Sequence, residues 1–217
     1  MVNQKSAFWK ALVLTVIVFL LGIGLGILIE EYRFNDVRDV FEEFFLDWND
    51  IRLQRIYYEE ISGEACDISL EKNLEFGDRI YEQGLLIDKY EKANRLTEKL
   101  EIEKRRYNLL KTEFLLNNRL LKERCGFDYD ILIYFYQDKP ESLEIKQEQN
   151  VLSRVLFDLK MEKGRDLILI PLATDLNVSV VDTMEAIYGI DTYPSLLIND
   201  YYVLKGVHEV GDIKALL

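Results

Sequence analysis

The sequence predicts an α/β protein in three parts: a membrane-spanning helix, a helical segment, and a C-terminal domain in which strands and helices alternate. Residues 11–29 contain no ionisable side chain, although 30% of the 217 residues are charged. The first 139 residues contain no proline, so no residue of that kind interrupts a helix there. After residue 128, short runs rich in β-branched and aromatic residues alternate with longer amphipathic segments, which is typical of strands and helices.

Residues 11–29 are the first predicted element, a transmembrane helix that contacts the lipid bilayer. A helix of this length spans about 28 Å, close to the roughly 30 Å hydrocarbon core of a membrane. Trp9 and Tyr32 lie at its ends, where aromatic side chains favour the interface. A cleaved signal peptide is the alternative, but its best cleavage site, residues 24–26, is followed by further apolar residues. We therefore predict a single-pass protein of the cell membrane.

The charges on either side of this helix bear on its orientation. Lys5 and Lys10 precede the apolar run and are matched by Arg33 and Arg38 after it. The N-terminal amine and the shortness of the leading segment tip the balance toward an N-terminus on the inside. This predicts a short cytoplasmic tail at residues 1–10 and an extracytoplasmic location for everything after the helix.

Two glycines within the predicted helix, Gly22 and Gly26, are four residues apart. Such a pair of small residues lets two membrane helices pack closely, which would give a homo-oligomer. The alternative is that both glycines are merely tolerated in a helix that faces lipid.

Residues 30–127 are predicted to form an extracytoplasmic helical segment. Apolar residues recur at helical spacing between residues 34 and 51, and again between residues 93 and 121. Each stripe fits the core between helices of one chain or the seam of an intermolecular coiled coil.

The chain has two cysteines, Cys66 and Cys125, one near each end of the second helical stretch. A straight helix would hold them about 88 Å apart, whereas a disulfide needs Cα atoms within roughly 4.4–6.8 Å. An intrachain bond therefore requires the chain to reverse between residues 84 and 94, giving an antiparallel helical hairpin. The extracytoplasmic location favours this bond. Two free thiols or an intermolecular bond are the alternatives.

Residues 128–217 are predicted to form an α/β domain with the element order βαβαββα. Strands are expected at residues 129–136, 166–173, 195–198 and 202–205, and helices at residues 141–163, 178–188 and 210–217. The first two strands are continuously apolar and joined by a helix, which predicts a parallel pair. Asn199 and Asp200 predict a tight antiparallel hairpin between the last two.

Residues 187–198, which read IYGIDTYPSLLI, resemble a segment of the thioredoxin-like superfamily in which a helix ends in a Tyr-Gly turn and a cis-proline opens the third core strand. Together with the element order, this resemblance covers about residues 129–217. The complete arrangement is also similar to membrane-anchored thioredoxin-domain proteins of archaea. The resemblance implies a thioredoxin-like domain with a cis peptide bond before Pro194.

The catalytic motif of that family is missing from this chain. Thioredoxins carry Cys-x-x-Cys at the start of the helix after the first strand, where the helix dipole lowers the pKa of the attacking thiol. Residues 140–146 occupy this position and contain no cysteine. Ser142 fits a helix N-cap, and His208, the only histidine, is expected at the surface. We therefore predict no catalytic residue, cofactor or metal site, with thiol–disulfide exchange by Cys66 and Cys125 as the alternative.

The resemblance leaves one feature that can serve a function, the groove beside Pro194. In the family, the backbone before the cis-proline pairs with an extended peptide. This implies a contact site at Tyr193 and Pro194, opposite residues 137–146. Alternatively, Pro194 only sets the entry into the strand.

The net charge of -12 argues against a nucleic-acid partner. The sequence therefore predicts a redox-inactive module, exposed outside the membrane, that binds an unidentified protein or peptide. A structural module that forms oligomers through its helices is the remaining alternative.

Overall fold

The computed structural model of the chain describes residues 8–29, the separate positions 46, 49, 52, 53 and 56, and residues 65–92 and 98–217. The apolar stripe predicted at residues 34–51 lies almost entirely outside the described residues. The chain forms two compact units, Met1–Arg52 and Leu53–Leu217, and each is described by itself.

The first unit contains helix α1, Phe8–Ile29, which is long and apolar enough to cross a membrane. Its side chains are exposed along the whole helix. Each large apolar side chain gains roughly 1.5–3 kcal/mol when it leaves water, so a bilayer is a favourable environment for this surface. Apart from the adjacent residues and the nearby backbone of α1 itself, no described atom lies within 4 Å of where a Cβ would be placed on Gly22 or Gly26. Self-association through these two glycines stays a prediction.

The second unit begins with two long helices, α2 (Cys66–Lys92) and α3 (Glu98–Cys125), which pack against each other. A disulfide joins Cys66 to Cys125, and their Cα atoms are 5.8 Å apart. The first residue of α2 is thus bonded to the last residue of α3. The predicted intrachain hairpin is confirmed, but α2 extends to Lys92, so most of the range predicted for the turn, residues 84–94, is helical.

Two glycines of α2 make room for aromatic rings of α3. A Cβ atom on Gly77 would lie 2.7 Å from the Cζ atom of Phe114, whose ring is buried. Gly84, seven residues further along, lies against the ring of Tyr107. Seven residues toward the C-terminus of α2 thus correspond to seven residues toward the N-terminus of α3, from Phe114 to Tyr107. The two helices are therefore antiparallel and in close contact.

The rest of the second unit is built on one four-stranded sheet. Its strands are β1 (Asp130–Tyr136), β2 (Leu167–Ala173), β3 (Ser195–Ile198) and β4 (Tyr202–Lys205). They lie in the order β2-β1-β3-β4, with β1 and β2 parallel and β3 antiparallel to both of its neighbours. Asn199 and Asp200 have φ angles of 49° and 63°, as a tight hairpin turn requires. The predicted parallel pair and hairpin are confirmed.

Three helices complete the α/β part: α4 (Leu143–Lys163), α5 (Ser179–Tyr188) and α6 (Val210–Lys214). One face of the sheet packs with α4 and α6 in a core of Leu132, Tyr134, Leu152, Leu156, Leu159, Leu167, Leu196, Ile198 and Ile213. The alternate residues of β1, Ile131, Ile133 and Phe135, are buried on the other face. The element order and the mixed sheet, with helix-covered strands, are those of the thioredoxin-like fold that the resemblance implied, and the predicted fold class is confirmed.

Helix α3 packs against β2, the strand at the edge of the sheet. The fully buried side chain of Asn108 donates from Nδ2 to the carbonyl oxygen of Ala173 at 2.8 Å and accepts from the Ala173 N–H at 3.0 Å. A single amide side chain thus satisfies the two backbone groups that a neighbouring strand would otherwise pair. The helical hairpin is thereby joined to the sheet.

Candidate functional site

The predicted contact residues meet at one end of the sheet. Phe135, near the end of β1, pairs with Ser195, the first residue of β3. The loop that follows β1 and the segment that precedes β3 therefore leave the sheet side by side. The peptide bond between Tyr193 and Pro194 is cis.

The main chain on either side of this bond is only partly used by the protein itself. The carbonyl oxygen of Pro194 accepts from the Gly206 N–H at 2.8 Å, and the Ser195 hydroxyl donates to the carbonyl of Thr192 at 2.6 Å. In the part of the chain that the structure describes, the N–H and C=O of Tyr193 have no hydrogen-bond partner. A residue with both groups available can pair with one residue of an added strand.

The side chain of Tyr193 is held by α5. Its hydroxyl donates to the carboxylate of Glu185. Burial raises the pKa of Tyr193 to about 12, and the bond to Glu185 adds to this effect. Burial also raises the pKa of Glu185, against the effect of the same bond. The ring is therefore fixed within the protein, and the main chain of Tyr193 is the part available for a partner.

The loop after β1 is fixed from two directions. The carboxylate of Asp175 accepts from the N–H groups of Asp138 and Lys139, both at 2.7 Å. The side chain of Gln149, in α4, accepts from the Gln137 N–H at 2.9 Å and donates to its carbonyl at 3.0 Å. Sequence reasoning identified the loop but missed the two side chains that hold it.

The two other polar side chains singled out from the sequence act locally. Ser142 caps α4, and its hydroxyl oxygen accepts from the Ile145 N–H at 3.2 Å. A ring nitrogen of His208 lies 3.1 Å from the carbonyl oxygen of Lys205, three residues earlier. Among the described residues, no group of three or more His, Cys, Asp or Glu side chains is placed to hold a metal ion.

The disulfide lies at the other end of β1. Cys125 precedes the first residue of this strand by five positions, whereas Tyr193 lies beside its last residues. Six residue steps along β1, at about 3.3 Å each, separate these two ends by about 20 Å. The sulfur atoms are therefore too distant to exchange with a peptide held at Tyr193.

Comparisons with known proteins add little to this description. No protein-family model matches the chain, and no curated protein sequence matches it. A solved structure that is similar, chloroplastic thioredoxin z, is 14% identical with a TM-score of 0.34, and the match covers 45% of this chain and 83% of that one. None of these findings bears on the similarity to archaeal membrane-anchored proteins, which stays a prediction. By its own strand order, the second unit has a thioredoxin-like fold, and no cysteine lies at the start of α4.

Proposed function

We propose that this protein is anchored in a membrane by α1 and uses its thioredoxin-like domain to bind an extended segment of another protein, without redox chemistry. The observation that carries the proposal is the main chain of Tyr193, whose N–H and C=O are unpaired among the described residues. An extended segment would supply the missing bonds, as in other cases of strand addition. The fixed loop at residues 137–142 gives this segment a preformed neighbour, so little ordering entropy is lost on binding.

The arrangement of the cysteines supports a function without redox chemistry. Cys66 and Cys125 are bonded to each other at the base of the helical hairpin, at the opposite end of β1 from Tyr193. The position of the family's attacking thiol is occupied by residues 140–146, in which Ser142 serves as the helix cap. Thiol exchange by Cys66 and Cys125 would therefore need a substrate site elsewhere.

The binding mode is tested by peptides selected from a random library against the full chain in detergent. We expect N-methylation to weaken binding about tenfold at one peptide residue, the one whose N–H bonds to the Tyr193 carbonyl. Methylation of either neighbouring residue should have little effect, because alternate N–H groups of a strand point away. A peptide that tolerates N-methylation at every position contradicts strand addition.

Two variants test whether the peptide binds beside Tyr193. Thr192→Trp adds bulk beside Tyr193 and should weaken binding about tenfold. Tyr201→Trp is the matched control, because Tyr201 is 85% exposed in the turn between β3 and β4. Equal effects of the two variants would argue against a site at Tyr193. If the protein reduced a model disulfide faster than its Cys66→Ser/Cys125→Ser variant, the oxidoreductase alternative would replace the proposal.

The proposal places residues 1–10 in the cytoplasm and the two parts after α1, residues 30–127 and 128–217, outside the membrane. The disulfide supports this orientation, because such bonds persist in oxidising compartments and are rare in the cytosol. We expect protease added to intact cells to remove an epitope tag fused after Leu217 and to spare a tag fused before Met1. Protection of the C-terminal tag, with loss of it only after the cells are opened, would reverse the orientation.

A further inference from the structure

A groove of about 570 Å³ lies between the helical hairpin and α4. Helices α2 and α3 form one wall, and the end of β1 with the first half of α4 forms the other. The aromatic and charged side chains that line it include Tyr81, Tyr107, Lys111, Tyr136, Asp138 and Lys146. Its volume is in the range usual for small-molecule sites. Tyr193 does not line this groove, so a ligand bound in it would leave the main chain of the proposed peptide site free.

Lys111 brings a buried amine to this groove. The residue is 3% exposed, and its Nζ atom lies 4.6 Å from the centre of the Tyr107 ring and 5.5 Å from that of Tyr136. Across the described residues it makes no ion pair and no hydrogen bond. A charged amine in such surroundings is unfavourable unless it is paired, so a negatively charged ligand group would stabilise the protonated form of Lys111.

Lys104, two turns earlier on α3, lines the same groove and, unlike Lys111, forms ion pairs. Its Nζ atom lies 2.9 Å from a carboxylate oxygen of Glu91 and 2.8 Å from one of Asp138. Both carboxylates are therefore paired with the ammonium of Lys104. Burial lowers the pKa of Lys111 to about 7, and the charge of Asp138 opposes this only in part.

The surroundings of Lys111 also limit the charge of a ligand. Of the three acids in the groove, Glu91 and Asp138 are paired with Lys104, whereas Lys111 offers one unpaired positive charge, so a group with one negative charge matches it better than a group with two, such as a phosphate. A single carboxylate supplies one negative charge at the smallest electrostatic cost. Leu85, Ile87 and Leu176 provide apolar lining for the remainder of the molecule.

We propose that this groove binds a small organic carboxylate, which pairs with the ammonium of Lys111 while its apolar part lies against the rings of Tyr107 and Tyr136. The ion pair is a charge-assisted hydrogen bond inside a largely desolvated site. The tyrosine rings already stabilise the cation and add apolar contact. A neutral ligand of the same shape would leave the ammonium unpaired and should bind much more weakly.

Calorimetric titration of the full chain in neutral detergent tests the site with two matched pairs of probes, benzoate with benzamide and butyrate with butyramide. The titration is run at about pH 6, where Lys111 is mostly protonated. We expect at least one acid to bind about tenfold more tightly than its amide. Equal affinities within both pairs, or no binding of either acid, would overturn the proposal.

Two lysine variants locate the effect. Lys111→Met removes the ammonium while keeping an apolar side chain of similar length, and should abolish the preference for the acid over its amide. Lys146→Met removes an exposed ammonium from the same groove and should preserve that preference. A preference that survives Lys111→Met, or that is lost in Lys146→Met, would show that Lys111 does not hold the carboxylate.

Discussion

Replacing both Cys66 and Cys125 by serine will lower the free energy of unfolding of the second unit by about 4 kcal/mol. The bond joins residues that are 59 positions apart, so it restricts a long loop of the unfolded chain. Without it, the unfolded state gains entropy, and the α2–α3 hairpin loses the closure at its base. For a unit of this size each kcal/mol changes the melting temperature by about 2–4 °C, so we expect a fall of about 10 °C.

Differential scanning calorimetry of the full chain in detergent measures this change. Dithiothreitol should lower the melting temperature of the unsubstituted protein to that of the double serine variant. The same reductant should leave the variant unchanged, which is the internal control. A variant that melts with the unsubstituted protein would mean that α2 and α3 hold together without the bond.

The position of the turn in the helical hairpin could be predicted only approximately from the sequence. The turn was predicted within residues 84–94, a range that begins at Gly84, because a bond between Cys66 and Cys125 requires the chain to fold back. The structure instead keeps Gly84 inside α2, against the ring of Tyr107. A glycine is equally suited to a turn and to a close contact between two helices. Which of the two occurs depends on the residue that packs against the glycine, here Tyr107, and that residue cannot be identified from the sequence around Gly84.

The α/β part was predictable because its signals are local. Each strand is a short apolar run that ends at turn residues, and the Asn199-Asp200 hairpin needs only two residues to be recognised. The end of the sheet that carries Tyr193 followed from the resemblance. Asp175 also left a signal, since it closely follows β2 at the end where parallel β1 ends, but its bonds to two N–H groups depend on tertiary contacts.

The buried lysines left no such signal. Lys104 and Lys111 lie on a helix rich in charged residues, where a lysine is normally solvated. They become buried only because α2, the loop after β1 and α4 close around them. Burial that depends on three separate segments is a property of the assembled unit, and no spacing along α3 predicts it.

Replacing Lys104 by methionine will lower the free energy of unfolding by about 3 kcal/mol or more. The side chain of Lys104 is 6% exposed, and that of Asp138 is 11% exposed. Burial works against the charged form of Lys104, but the hydrogen bonds to Asp138 and Glu91 outweigh it and raise its pKa. Without the ammonium, the Asp138 carboxylate stays buried and unpaired, which is the costly way to break such a pair.

Thermal unfolding followed by circular dichroism measures the loss, and Lys139→Met provides the comparison. Lys139 pairs with Glu101 at the surface, where both side chains are largely exposed, so this variant should melt close to the unsubstituted protein. An equal loss in the two variants would mean that burial does not decide the contribution of the Lys104 pair.

A second comparison separates charge from packing. In the Lys104→Met/Asp138→Leu variant both partners are apolar, so we expect most of the lost stability to return, because no buried carboxylate is left without a partner. Glu91 is 44% exposed and can be solvated in either variant. If the double variant is as unstable as the single one, the unpaired carboxylate is not the cause, and Lys104 contributes through the packing of its side chain between α2 and the loop after β1.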